Sequence, residues 1–276
     1  MTLIIDGKQM ALKKEQELKV KLKGRKAVLV SLVAKEDVKG LLYTKLKREA
    51  AGRIGLVFQQ EIFSLADSRG AIELMREIRK EPLAGLIVQK PGQELGRKYF
   101  KTKEDFKAWW LAMTDLIPEG VDVDALKPQT LGKIVIGKSK YYPATVMAVW
   151  QVLLMAFKEK ELMGKTVVIL GSSEILGKPL ALLLRDKGMA VILLGSGCCQ
   201  ADRLMKEADV VIGAAGYPKI ITEEKVKPGA VVIDAAGGDV DFTNVKKKAS
   251  LITPPTGGIG PLTVVNLLAN LVENLQ

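Results

Sequence analysis

The stretch Gly164–Leu184, GKTVVILGSSEILGKPLALLL, decides the fold. Thr166–Leu170 is a run of β-branched and apolar residues with no polar break, which suits a parallel strand buried on both faces. Gly171, Ser172 and Ser173 then turn the chain. Lys178–Pro179 stands near the start of an apolar helix, where a proline is tolerated. Strand, glycine turn and helix open a dinucleotide-binding βαβ unit, with the helix N-terminus aimed at a pyrophosphate. The spacing departs from G-x-G-x-x-G, since only Gly171 and Gly177 are present. By itself the turn fits a nucleotide site and a plain strand–helix connection equally well.

The chain downstream tips the balance. Ala190–Leu194, Asp209–Gly213 and Ala230–Asp234 are three more buried runs, separated by helical stretches at Gly177–Lys187, Ala201–Glu207 and Glu223–Lys227. Strands alternating with helices at this spacing predict an α/β fold with a doubly wound, Rossmann-like parallel sheet. Ligands of such sheets lie beyond the C-terminal ends of the strands, and Gly171, Gly195, Gly213, Gly216, Gly237 and Gly238 cluster there. Gly213–Gly216 is small enough for backbone to approach a flat ring.

Upstream, a charged amphipathic helix is expected at roughly Met10–Lys23, then strands at Ala27–Val33, Ile54–Phe58 and Leu86–Gln89. Helices at Val38–Arg53 and Ala71–Lys80 separate them, so the first ~115 residues read as a second αβα unit. Tyr43 and Lys47 lie one turn apart on one helix face, which alone reads as a basic surface stripe. The polar segment 118–134 carries Asp122 and Asp124, and loop acids are normally solvated. A long apolar helix, Tyr142–Lys158, opens at Pro143 and bridges two domains. ITPPTGGIGPLT (252–263) reads as a shaped loop that brings backbone close to a ligand, ahead of a final packing helix at Thr263–Asn274.

Composition narrows the chemistry. The chain has 276 residues, 48% hydrophobic and 26% charged, enough for two domains with their own cores. No apolar run reaches the ~20 residues that span a bilayer, and the N-terminus lacks a secretory pattern, so neither a membrane nor secretion is expected and the cytoplasm is the default. The net charge of +11 is scattered rather than striped, and aromatics are only 5%, which argues against nucleic acid and fits polyanionic small molecules. There is no histidine, which excludes Ser-His-Asp and Cys-His catalysis and every histidine-containing metal site; no metal is expected. Cys198 and Cys199 are adjacent and read as reduced loop thiols. A general acid or base must therefore be Lys, Asp, Glu or Tyr.

Taken together, the pieces resemble the bifunctional methylenetetrahydrofolate dehydrogenase/cyclohydrolase family across nearly the whole chain. IIDGK (4–8) resembles its N-terminal signature, and Tyr43-x-x-x-Lys47 its Y-V-x-x-K motif. GLIVQKP (85–91) is similar to G-I-L-V-Q-L-P, DVDALKP (122–128) to D-V-D-G-F-H-P, and YPAT (142–145) to V-P-C-T. GSSEILGKP (171–179) is similar to G-R-S-x-I-V-G-x-P, and ITPPTGGIGPLT to I-T-P-V-P-G-G-V-G-P-M-T.

The resemblance implies two αβα domains with folate in a cleft between them: residues 1–140 completed by 255–276, and a dinucleotide domain at 141–254. It implies Lys47 as the base or proton shuttle, Gln89 beside it, Tyr43 stacked on the folate and Asp124 on the pterin. Gly257, Gly258 and Pro261 would complete the tetrahydrofolate site. Gly171, Ser172, Ser173, Ile175, Ser196, Ala215, Gly216 and Thr222 would hold NADP, with NAD as the alternative, in a homodimer. The implied reaction oxidises 5,10-methylenetetrahydrofolate to the methenyl compound and hydrolyses it to 10-formyltetrahydrofolate. A monofunctional dehydrogenase and a non-catalytic nucleotide-binding homologue are the alternatives.

Several residues depart from the family pattern. Glu49 replaces a second lysine, and a negative charge near Lys47 is expected to raise its pKa. Lys90, Gly92 and Gln93 replace the apolar pattern after Gln89. Ala125 replaces a glycine, Lys127 a histidine, and Pro255–Thr256 a Val-Pro pair. The segment after Asp234, AAGGDVDF, is shorter than the family's and predicts a trimmed cofactor pocket. No acid follows Ala190–Leu194 until Asp202, so NADP is expected over NAD, with Arg203 or Lys206 as candidate phosphate partners.

Overall fold

The computed structural model describes residues 2–275. In chain order the elements are β1 (Leu3–Ile4), α1 (Gly7–Leu22), β2 (Val28–Ala34), α2 (Val38–Ile54), β3 (Val57–Phe63), α3 (Ser68–Ile78) and β4 (Gly85–Val88). Then come α4 (Gln93–Tyr99), α5 (Lys103–Asp115), α6 (Pro128–Val135), α7 (Ala144–Ala156), β5 (Thr166–Leu170), α8 (Gly177–Asp186), β6 (Ala190–Leu194) and α9 (Ala201–Glu207). The chain closes with β7 (Val210–Gly213), β8 (Val231–Asp234), α10 (Phe242–Val245), β9 (Leu251–Ile252) and α11 (Ile259–Asn274). Two compact units result: Met1–Leu12 with Tyr142–Asn266, and Lys13–Tyr141 with Leu267–Gln276.

The first unit carries a wholly parallel sheet of six strands in the order β1-β9-β8-β7-β5-β6. This is the doubly wound sheet expected from the sequence. Its central strands β5, β7 and β8 are buried on both faces; on one of them Val168, Val211, Val232 and Ile252 join a core cluster with Met205 and Val245. The strand order reverses around β5, whose neighbours are β6 and β7. The turn at Gly171, directly after β5, therefore stands at the switch point where such sheets bind ligands. Residues 2–12 belong here and not with Lys13–Tyr141, because β1 pairs with β9: Leu3 lies beside Leu251 and Ile4 beside Ile252.

The second unit holds a parallel sheet of three strands, ordered β3-β2-β4. Leu29, Leu32, Ile87 and Val88 bury its centre. Several boundaries differ from expectation. Gly55, at φ 92°, caps α2 with its N–H on the Ala51 and Gly52 carbonyls. The helix thus runs on to Ile54, and β3 starts at Val57 rather than Ile54. Helices α4, α5 and α6 occupy stretches that looked merely polar or basic. Thr102 and Asp105 cap α5 reciprocally, and Phe63, Phe100, Phe106 and Trp109 pack together on its buried side. The expected loop 252–263 stops at Gly258, because α11 begins at Ile259 and not at Thr263. Among the described residues no helix is long and apolar enough to cross a membrane.

Candidate active site

In the second unit, α2 and β4 build one cluster. Asp37 caps α2 by accepting the Gly40 amide at 2.9 Å, which fixes the rotation of the helix. That rotation turns Thr44, Lys47 and Ala50 inward and leaves Lys45, Arg48 and Glu49 exposed. Lys47 is only 2% exposed, and its Nζ donates to Gln89 Oε1 at 3.0 Å, one residue past the end of β4. The same Nζ sits 5.0 Å from the centre of the Tyr43 ring. A Cβ on Gly40 would press on Asp37 and on Gln89 Cγ, so glycine there lets Gln89 sit against the helix.

Burial holds the Lys47 ammonium below its ordinary pKa, and the Asp124 carboxylate partly opposes the shift. Glu49 takes no part. Residues two apart on a helix face away from each other, and Glu49 is exposed beside Arg53, whose pKa it helps raise. The expected rise in the Lys47 pKa is thus reversed to a fall.

The two loop acids separate. Asp122 is not solvated: it is 2% exposed and accepts from the Leu126 and Lys127 amides at 2.9 and 3.0 Å and from Thr130 Oγ1 at 2.7 Å. It ties down the turn into α6. Asp124, half-buried, is left to face Lys47. Ala125, next after Asp124, has φ 52°, in the left-handed region that favours glycine. Lys127 is also structural, with Nζ on the Asp115 and Ile117 carbonyls at 2.7 and 2.9 Å. Lys90 lies over the Trp110 ring at 5.2 Å.

The first unit holds the glycine turn. Gly171 has φ 112°, and a Cβ on it would collide with Ala214; a Cβ on Gly177 would collide with the Gly171 carbonyl. Two glycines six apart thus replace the usual three by packing directly on each other. Ser172 and Ser196 are exposed, Ser173, Ile175, Ala215 and Thr222 are half-buried, and Gly216 is exposed at φ 73°. These bare backbones, ahead of the N-terminus of α8, fit the pyrophosphate of a dinucleotide. Gly257, Gly258 and Pro261 also lie in this unit. A Cβ on Gly7 would collide with the Gly258 carbonyl, so the two ends of the chain, IIDGK and PPTGGIG, meet backbone to backbone.

Some expected partners are already engaged. Arg203 binds Gln200 at 2.9 Å and Glu207 at 3.7 Å, and Asp202 pairs with Lys225 at 3.1 Å. Sequence reasoning passed over Asp239, which is fully buried and accepts the Ala215 and Gly216 amides. Its signal was the Asp in GGDVDF, in the segment read as merely shortened. Among the described residues no group of three or more His, Cys, Asp or Glu is placed to hold a metal ion.

Comparison with known proteins agrees with this geometry. Residues 143–276 match the NAD(P)-binding domain of the tetrahydrofolate dehydrogenase/cyclohydrolase family. The bifunctional protein FolD of Limosilactobacillus reuteri is 34% identical, covering 99% of this chain and 97% of that protein. The crystal structure of FolD from Campylobacter jejuni superposes with a TM-score of 0.84 at 28% identity, covering 99% and 98% of the two chains. The Trypanosoma brucei enzyme, solved with NADP cofactor and an inhibitor, gives 0.87 at 27% identity over 99% and 97%. With such identity held over almost its full length, the chain belongs to the tetrahydrofolate dehydrogenase/cyclohydrolase family.

Proposed function

We infer that the protein oxidises 5,10-methylenetetrahydrofolate to 5,10-methenyltetrahydrofolate and hydrolyses that product to 10-formyltetrahydrofolate. The observation that carries the reading is Lys47, a buried amine bonded to Gln89 and faced by Asp124, in a protein without histidine. A nicotinamide supplies the acceptor for the two electrons leaving the methylene carbon. Gly171, Ser172, Ser173 and Ile175 line its phosphate turn, and Ser196, Ala215, Gly216 and Thr222 flank it.

For hydrolysis, water adds to the methenyl carbon and a carbon–nitrogen bond breaks, so the water gives up both its protons, one to the departing nitrogen and one to solvent. Lys47 moves these protons. Its lowered pKa brings the neutral amine nearer to working pH, which a solvated lysine at ~10.4 does not offer. Gln89 orients the amine, Tyr43 gives the folate ring a face to stack on, and Asp124 accepts from the amino-pyrimidine edge.

NADP is the preferred cofactor. Ser196 is exposed just after β6, and the first acid beyond it, Asp202, is paired with Lys225, which removes the charge that would repel a 2′-phosphate. A spectrophotometric assay with methylenetetrahydrofolate and each cofactor tests both statements. Methenyl product should form with either cofactor and then open faster than in buffer, with the higher kcat/KM for NADP. A methenyl species that opens only at the buffer rate defeats the second activity, and a preference for NAD of about tenfold or more reverses the cofactor order.

The protein works as a homodimer in the cytoplasm. The exposed thiols of Cys198 and Cys199 suit a reducing compartment. Strand β3 is a sheet edge on which Val57 and Ile62 stay about half exposed, at 52% and 53%, and Leu42 and Leu46 of α2 are exposed as well. Two copies of β3 paired antiparallel about Gln60 would set Val57 opposite Phe63 and Phe58 opposite Ile62, apolar against apolar. Sedimentation should find a dimer that Ile62→Lys converts to monomer; a monomeric wild-type protein ends the idea.

A further inference from the structure

Of the buried polar groups outside the Lys47 cluster, Asp239 is the one whose contacts reach a ligand-binding turn. It follows the short loop after β8 and is completely buried. Its Oδ2 accepts from the Ala215 amide at 2.7 Å and the Gly216 amide at 3.2 Å. Its Oδ1 is also buried and has no hydrogen-bond partner among the described residues. Backbone rungs hold the carboxylate in place on both sides: Lys219 N–H donates to Gly238 O at 2.8 Å, Ile221 N–H to Asp239 O at 2.9 Å, and Asp241 N–H to Ile221 O at 2.9 Å.

The loop that delivers Asp239 is itself tied. Asp234 Oδ1 accepts the Gly237 amide at 2.7 Å, while the Asp234 amide donates to the buried Thr253 Oγ1 at 2.7 Å. Gly213 leaves room for the approach, since a Cβ there would lie 2.6 Å from Asp239 Cβ. On its far side the Ala214–Gly216 turn abuts Gly171, where a Cβ would collide with the Ala214 carbonyl. A continuous backbone path therefore runs from Asp239 through residues 214–216 to the phosphate turn.

We propose that Asp239 is the positioning residue of the dinucleotide site, its carboxylate clamping the Ala215 and Gly216 amides so that residues 214–216 are set against Gly171. Those two amides are outside any helix or strand, and without an acceptor they would be free to rotate out to water. The shortened segment after Asp234 is thus the support of the cofactor site, not simply a loss from it. This rests on the reading of that turn as the cofactor site.

The test compares Asp239→Ala and Asp239→Asn by two readouts that need no turnover: NADP affinity by titration of intrinsic fluorescence, and amide exchange at Ala215 and Gly216. Asp239→Ala should weaken NADP binding by about tenfold or more and speed exchange at both amides. Asp239→Asn keeps an acceptor oxygen of the same reach and should restore NADP affinity to within about threefold of wild type. If the alanine variant does not fold, Asp239→Ser takes its place, with the same result expected. Unchanged NADP affinity in these variants, or an asparagine variant as weak as alanine, overturns the proposal. A wild-type protein that binds neither NADP nor NAD instead defeats the cofactor reading, while the exchange rates still decide whether the clamp exists.

Discussion

Lys47→Met should abolish ring opening, by about a thousandfold or more in kcat, roughly 4 kcal/mol of barrier, while folate affinity stays within about tenfold. Methionine keeps the length and packing of the lysine stem and removes only the group that carries protons. The same variant should be more stable than wild type. The folded-state pKa of Lys47 is below the unfolded value, so the native state binds fewer protons between those two values, and the stability of the wild-type protein rises with pH across that window. Below it, the charged ammonium is held in a buried site at full cost. The stability gained by Lys47→Met should therefore be greatest below the folded-state pKa of Lys47, and shrink as pH climbs from there towards ~10.4. Thermal melts of both proteins at several pH values check this. Undiminished hydrolysis in the variant would remove Lys47 from the mechanism.

Asp124→Ala should raise the folate KM and cost about 2–4 kcal/mol in kcat/KM, since a pterin edge would be left without its acceptor. A second effect separates this role from that of a passive loop acid. The Asp124 carboxylate holds the Lys47 pKa up against burial, so its removal lets that pKa fall further. The acidic limb of the pH–rate profile for ring opening should move to lower pH. Near-normal kinetics with an unmoved limb would show that Asp124 does neither.

The strands and helices that surround the nucleotide turn were legible because each fills one side of a parallel sheet, and unbroken apolar runs such as Thr166–Leu170 have few other places to go. Helix α2 was legible too, but not its end: Ile54 is apolar enough for a strand, and only the left-handed Gly55 shows that the helix carries on to it. Helices α4 to α6 were hidden because their burial depends on distant partners, such as the aromatic residues that meet Trp109. In the Lys47 cluster the residue types were readable, but their electrostatics were not. Glu49 is near Lys47 in sequence and faces away from it, while Asp124 is 77 positions on and faces it. Asp239 was missed for a related reason: an acid between glycines looks like a turn, and its hydrogen bonds become visible only once β7 and β8 lie side by side.

The pairing of β1 with β9 has a consequence for biosynthesis. Leu3 and Ile4 are made 248 residues before their partners, Leu251 and Ile252. At ~5–20 residues per second the strand waits for roughly 12–50 s without its sheet. During that interval Lys13–Tyr141 is already synthesised, whereas the six-stranded sheet has nowhere to place β1 until β9 is made. The earliest strand of that sheet is held by its latest.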